Sequence, residues 1–286
     1  MKITKAVFPA AGFGTRFLPA TKSIPKEMLP VVDKPLIQYC VEEAKASGLT
    51  EIIFVTGRGK RAIEDYFDTS VELETILKKK DQKEILRLVS NISEDLQYVY
   101  TRQKKPLGLG HAIWCAKNII GGEPFAVFLS DDIIDSKVPV MKQMLRVFGK
   151  HPSTILAVQK VPGKKTHMYG IIKGKKVGPG TYRVMDVVEK PKKNPPSNLA
   201  IIGRYILAPE IFGAIENTMP DGHGEIQLTD AIKILLKTQD VYACEFSGER
   251  FDAGDKTGFL RANISFALKK PEIRDELRRF MKKLVS

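Results

Sequence analysis

The 286-residue sequence is short of several things, and each shortage removes a class of protein. It has three cysteines, Cys40, Cys115 and Cys244, far apart and odd in number, with no C-x-x-C pair. Neither a disulfide framework nor a zinc site is expected from them. The four histidines, His111, His151, His167 and His223, show no metal-ligand spacing. No apolar run reaches the ~18–20 residues that span a bilayer. The opening "MKITKAVFPAAG" lacks the apolar centre and cleavage site of a secretory signal. A reduced, cytoplasmic protein without a membrane partner is the expectation. Internal repeats, low-complexity tracts and a clean linker are also missing.

Basic charge is abundant: 46 Lys and Arg against 33 Asp and Glu, a formal surplus of +13. Such a surplus favours anionic partners. The lysines fall in short scattered groups, such as Lys104–Lys105 and Lys192–Lys193, without interleaved aromatics. No nucleic-acid partner is therefore expected, and small anions such as nucleotides remain.

The first half alternates apolar strands with amphipathic helices. "ITKAVFPA", "EIIFVTG", "LQYVYTRQ", "PFAVFLSDD" and "STILAVQKV" read as strands. "PLIQYCVEEAKASG", "RAIEDYF", residues 71–89, "LGHAIWCAKNII" and "VPVMKQMLRVFG" read as helices. This rhythm predicts an α/β fold with a doubly wound, mostly parallel sheet covered on both faces. Ligands then bind beyond the carboxyl ends of the strands. After about residue 161 the pattern shifts to hairpin-like strands, and an amphipathic helix from Pro271 closes the chain.

The loop after the first strand, "FPAAGFGTRFLPATKSIPKEMLP", is neither G-x-G-x-x-G, since Phe17 takes the third glycine's place, nor a P-loop, since no G-K-[ST] follows. Its backbone N–H groups are free to face phosphates, with Arg16 as a fork and Lys26 as a point charge. Read alone, Gly12 and Gly14 are equally a plain turn. "FLSDD" ends a buried strand on Asp131 and Asp132, which need solvent or a cation; alone, the pair reads as a helix cap. "VVEKP" puts Glu189 and Lys190 on opposite faces of a regular strand, so both reach one ligand only if the chain bends, and Pro191 makes a bend plausible.

Taken together, "AAGFGTRFLPATKSIPKEMLPVVDKPLIQY", "QKKPLGLGHA", "FLSDD", "YGII", "VEKP", "IIGRYIL", "GEIQLTDAI" and "FDAGDKTGF" resemble the bacterial UTP–glucose-1-phosphate uridylyltransferase family, a branch of the sugar nucleotidyltransferases. The resemblance covers nearly the whole chain. It implies a Rossmann-like nucleotide-diphospho-sugar transferase fold in one domain, 1–286. A nucleotide-binding core would occupy about 1–160, a sugar-binding part 161–255 and a C-terminal helical segment 256–286. It implies transfer of a uridylyl group from UTP to glucose 1-phosphate, giving UDP-glucose and pyrophosphate, with Mg2+ as cofactor and a homo-oligomer, dimer or tetramer, as the assembly.

By the same resemblance Arg16, Lys26, Asp131 and Lys190 are catalytic. Ala10, Ala11, Gly12, Gly14, Thr15, Gln103, Gly108 and Asp132 join Arg16 and Lys26 around the nucleotide. Gly170, Glu189, Lys190 and Gly203 hold the sugar phosphate, and Asp131 and Asp252 the metal. The family usually has Pro where Ser130 stands, a change expected to alter loop stiffness and not metal binding. His111 is expected in a helix turn outside catalysis, and Trp114 in the core. A thymidylyltransferase, another sugar-1-phosphate nucleotidyltransferase and a non-catalytic nucleotide-sugar-binding regulator stand as alternatives. The intact Lys26, Asp131 and Lys190 weigh against the last.

Overall fold

Period-two burial along the first strands sets the architecture of the computed structural model, which describes residues 2–285. In β1 (Lys5–Ala10), Ala6, Phe8 and Ala10 enter one apolar layer while Val7 enters the other. The short strands β2 (Pro30–Val31) and β3 (Lys34–Pro35) follow as a separate ribbon. β4 (Glu51–Thr56) repeats the division, with Ile52 and Phe54 against Ile53 and Val55. β5 is Gln97–Arg102, and β6 (Phe125–Phe128) splits Ala126 and Phe128 from Phe125 and Val127. Alternation of this kind needs cover on both faces.

Helices supply that cover. α1 (Leu36–Ala46) buries Ile37, Cys40, Val41 and Ala44, the i, i+3, i+4, i+7 stripe of an amphipathic helix. α2 is Arg61–Phe67. The helical spacing over 71–89 is realised as two helices, α3 (Val71–Lys79) and α4 (Lys83–Ser93), separated where Asp81 turns to φ 51°. α5 (Gly108–Trp114) and the short α6 (Lys117–Ile120) cover the opposite face. Trp114 is half-exposed, not core, and its indole N–H donates to Glu216 at 2.9 Å.

The rest of the sheet comes from the second half. β7 (Asp132–Asp135) leaves it, and α7 (Val140–Lys150) packs beside α1. β8 (Thr154–Lys160), β9 (Gly170–Gly178), β10 (Thr181–Glu189), β11 (Leu199–Leu207) and β12 (Val241–Glu245) complete nine strands in the order β5-β4-β1-β6-β11-β8-β12-β10-β9. α8 (Ile211–Glu216) and α9 (Leu228–Leu235) pack on the α5 side.

The expected parallel strands are β5, β4, β1 and β6. The sheet as a whole is mixed, because β11 enters antiparallel between β6 and β8. One sheet therefore carries both halves of the chain. β13 (Glu249–Asp252) pairs with β7 instead, over a small core of Val31, Leu36, Ile133 and Phe251, and α10 (Lys256–Ala267) and α11 (Pro271–Val285) follow.

The loops after β1, β4, β5 and β6 leave the same edge of the parallel half, as a doubly wound sheet requires. Beneath them Phe8 stacks on Phe128 at 5.0 Å and tilts against Phe54 at 5.4 Å. Each buried ring contributes about 1.5–3 kcal/mol, giving the loops a firm base. No helix among the described residues is long and apolar enough to cross a membrane.

Candidate active site

Two cavities open at this edge and share a wall. The first, of about 440 Å3, is lined by Ala11, Gly12, Thr15, Lys26, Gln103 and Gly108, among others. The second, of about 450 Å3, is lined by Arg16, Gly170, Glu189, Lys190, Gly203 and Asp252, among others. Leu109, Leu129, Asp131 and Glu225 belong to both. Of the residues expected around a nucleotide, Ala11, Gly12, Thr15, Lys26, Gln103 and Gly108 line the first cavity, whereas Arg16 and Asp132 line the second beside the residues expected around a sugar phosphate, with Asp131 in both walls.

Lys26 sits in a 3-10 turn, Lys26–Met28, whose approach to the first loop depends on Gly14. Gly14 takes the left-handed conformation at φ 66°, and a Cβ there would lie 3.0 Å from Lys26 Cβ. Gly14 therefore shapes the loop, and it is not among the residues lining the cavity. Ala10 also faces the core, while Ala11 lines the cavity.

The Lys26 ammonium donates to Asp131 Oδ2 at 2.7 Å. Burial pulls the Lys26 pKa down, and the Asp131 and Glu27 carboxylates more than offset it, leaving it above the usual lysine value. Burial raises the Asp131 carboxyl, and the Lys26 ammonium overcomes this and holds it below the usual range. Behind Lys26, Glu27 Oε2 accepts from Lys60 at 2.7 Å in a buried ion pair.

Asp132, expected to contact ligand or to orient its loop, lines the second cavity. Its Oδ2 accepts from the Gly203 N–H at 2.8 Å, and its Oδ1 from Arg250 Nε. Burial, with Asp131 and Asp252 nearby, raises its carboxyl pKa against the opposing pull of Arg250. With both oxygens engaged, it braces the loop against β11 on the sugar side. A Cβ on Gly203 would fall 2.6 Å from that Oδ2 and 2.7 Å from Leu129 Cβ, which is why the strand carries glycine here.

The main chain of the 129–132 loop is held from below by Arg204, a fully buried side chain. It donates to Leu129 O at 3.1 Å and Asp132 O at 2.8 Å, and pairs with Glu43 at 2.9 Å. Ser130 is buried in the same loop.

Asp131 and Asp252 border one small space above Gly254. A Cβ built on Gly254 would lie 3.0 Å from Asp252 Oδ1 and 3.2 Å from Asp131 Oδ2. Hard oxygens around a space that any side chain would fill suit a small divalent cation. Among the described residues no cluster of three or more His, Cys, Asp or Glu could hold a metal. Two carboxylates fit Mg2+, which completes its shell with substrate phosphates and water.

Gln103 Nε2 lies 3.0 Å from Gly108 O and 3.0 Å from His111 Nδ1. Donating to both commits the amide nitrogen and requires an unprotonated Nδ1. The amide carbonyl is then the acceptor left for a ligand. His111 is in a helix turn, as expected, yet it orients Gln103. Burial lowers its pKa.

The required bend at Glu189–Lys190 is present: Lys190 adopts φ 42°, and its Nζ lies 3.2 Å from Glu189 Oε1. Thr229, at the start of α9, donates to Glu189 Oε2 at 2.7 Å. Arg250, Tyr169, Glu225 and Thr229 are among the residues at the site that sequence reasoning missed, and His111 was set aside by it. Arg250 was accessible to it, since i and i+2 on a strand share a face and Asp252 was already singled out.

Comparison with known proteins identifies the family. The model of the nucleotidyl transferase family matches residues 5–268. A UTP–glucose-1-phosphate uridylyltransferase of Bacillus subtilis is 51% identical over 286 residues, covering 100% of this chain and 98% of the relative. Among solved structures, a UDP-glucose pyrophosphorylase complexed with UDP-glucose is 46% identical, with TM-score 0.87 over 94% of this chain and 100% of that one. A UTP-bound UGPase from Acinetobacter baumannii is 39% identical, with TM-score 0.92 over 99% of this chain and 100% of that one.

Proposed function

The chain belongs to the nucleotidyl transferase family, and from that membership we propose that it transfers a uridylyl group from UTP to glucose 1-phosphate, releasing UDP-glucose and pyrophosphate. The observation that carries this reading is the meeting of the two cavities at Asp131. UTP takes the first, its base against Gln103 and Gly108 and its phosphates toward Thr15 and Lys26, with Arg16 in the adjoining wall of the second. Glucose 1-phosphate takes the second, with its hydroxyls toward Glu189 and its phosphate toward Lys190.

A phosphate oxygen of the sugar attacks the α-phosphorus of UTP. One P–O bond forms as the bond to pyrophosphate breaks, and no protein nucleophile takes part. The barrier is electrostatic, since two anions must approach in line. Arg16 and Lys26 face the departing charge and Lys190 the attacking phosphate, where preorganised cations act most strongly. Asp131 and Asp252 would hold Mg2+, which when bound neutralises charge on phosphate oxygens.

The three free cysteines support a cytoplasmic setting. The exposed Phe280 and Leu284 of α11 support a homo-oligomer. The test is product analysis after incubation with UTP, glucose 1-phosphate and Mg2+, with dTTP and galactose 1-phosphate as controls. UDP-glucose and pyrophosphate are expected in equal amounts. No UDP-glucose, or faster turnover of dTTP than UTP, would overturn the reading.

A further inference from the structure

Arg250 stands on β13, opposite Ile134 of β7 and two residues before Asp252. Its side chain is 11% exposed. The guanidinium spreads over three partners: Nε donates to Asp132 Oδ1, Nη2 to Asp252 Oδ2 at 3.0 Å, and Nη1 to the Tyr169 hydroxyl at 3.1 Å. It also lies 5.1 Å from the Tyr169 ring centroid. The Tyr169 hydroxyl in turn donates to Asp252 Oδ2 at 3.5 Å. Asp252 Oδ2 is thereby fastened, and Oδ1 is the oxygen that faces Gly254 and, across it, Asp131.

We propose that Arg250 is a positioning residue whose planar fork turns Asp252 Oδ1 toward Asp131 and ties Asp132 back against β11. The assignment rests on the metal-assisted transfer described above and adds to it the group that aligns the second metal ligand. A rigid fork, not a positive charge, is what the arrangement uses. A lysine ammonium supplies the charge from one nitrogen and cannot span three partners in a plane.

The two roles give opposite results when Mn2+ is titrated into protein saturated with UDP-glucose and free Mn2+ is followed by electron paramagnetic resonance. If the fork matters, Arg250→Lys and Arg250→Gln both weaken Mn2+ binding by about tenfold or more, the usual effect of removing a partner behind a metal ligand. If only charge matters, Arg250→Lys binds as wild type does and Arg250→Gln binds more tightly, and the proposal is overturned. Tyr169→Phe removes one brace and keeps the arginine; it is expected to weaken Mn2+ binding about threefold, and it carries the test if the Arg250 variants do not fold. No change in Tyr169→Phe would then overturn the assignment.

Asp252→Asn separates this assignment from the reading beneath it. Wild-type uptake that Asp252→Asn abolishes and the Arg250 variants retain removes the role of Arg250 alone. Uptake equal in wild type and Asp252→Asn removes the metal reading, and the role of Arg250 with it.

Discussion

Removing the carboxylate of Asp131 should make metal-free UTP bind more tightly, although it stops catalysis. In the ligand-free protein Lys26 Nζ is held by Asp131 Oδ2 at 2.7 Å, with side-chain exposures of 23% and 30%. The ammonium has three N–H donors, so a phosphate that reaches Lys26 shares it with that carboxylate and against the carboxylate's negative charge. A charge-assisted hydrogen bond between largely buried groups contributes about 1.5–3 kcal/mol. Asp131→Asn removes most of this competition, and it also removes a negative charge facing the triphosphate. At about 1.4 kcal/mol per decade, UTP affinity in EDTA should rise roughly tenfold to a hundredfold. Turnover with Mg2+ should fall by roughly a hundredfold to a thousandfold, as when one preorganised group around a transition state is lost.

Calorimetric titration of UTP into wild type and Asp131→Asn at pH 7.5 in EDTA measures the first effect. Lys26 lies above its usual value and Asp131 below its own, so the pair stays fully charged at that pH. The sign also fixes the acid limit. A lowered carboxyl contributes stability that is present above its unfolded value, near 3.9, and lost as pH falls through the still lower folded value. The melting-temperature gap between wild type and variant should therefore close in acid. Equal or weaker binding of UTP by Asp131→Asn in EDTA would refute the claim that Lys26 is held back by its partner.

Gly254→Ala puts a methyl group where both carboxylate oxygens face, 3.0 and 3.2 Å away; Mn2+ uptake should drop at least tenfold with melting temperature little changed, and undiminished uptake would argue for a metal site elsewhere. Lys60→Met leaves Glu27 buried without its cation, a loss expected to cost about 3–5 kcal/mol in denaturant unfolding. Glu27→Gln combined with Lys60→Met should recover part of that loss, and a double variant no more stable than Lys60→Met would contradict it. His111 must be neutral to accept from Gln103, and burial keeps its pKa below the usual 6.5. The KM for UTP should thus be level above about pH 6.5 and rise below it, a rise missing in His111→Asn; identical acid profiles for the two proteins would remove His111 from base recognition.

Much of this was legible before any coordinates. Alternation gave β1, β4 and β6 their two faces, and the loops after them carried the cations and acids. What stayed hidden were contacts that depend on long-range register. β11 reads as one apolar run, and nothing local says that it enters antiparallel beside β6. That pairing brings Gly203 to Leu129 and its N–H to Asp132 Oδ2. Gly14 and Ala10 also have structural work that the sequence did not show, Gly14 in the loop's left-handed turn and the Ala10 side chain in the core beneath it. The bend at Lys190 was foreseen from the need for Glu189 and Lys190 to share a ligand, although its φ of 42° is one that side chains rarely adopt.

The surplus of +13 says little about the site, where cations and acids are already matched: Lys26 with Asp131, Lys190 with Glu189, and Arg250 with Asp132 and Asp252. Such matching is forced, since an uncompensated charge in a partly buried cleft costs several kcal/mol. It follows that substrates enter by exchanging partners with groups already charged and in place, with little new desolvation of the protein. Arg16 is the exception. It is exposed, and the hydrogen bond it makes, to Gly254 O, is a long 3.5 Å. A solvated, loosely held fork can meet a phosphate with no carboxylate competing for it, whereas Lys26 shares its ammonium with one. On the proposed reading, Arg16 is therefore the cation open to a phosphate from the start, and Lys26 the one whose charge is tempered by Asp131.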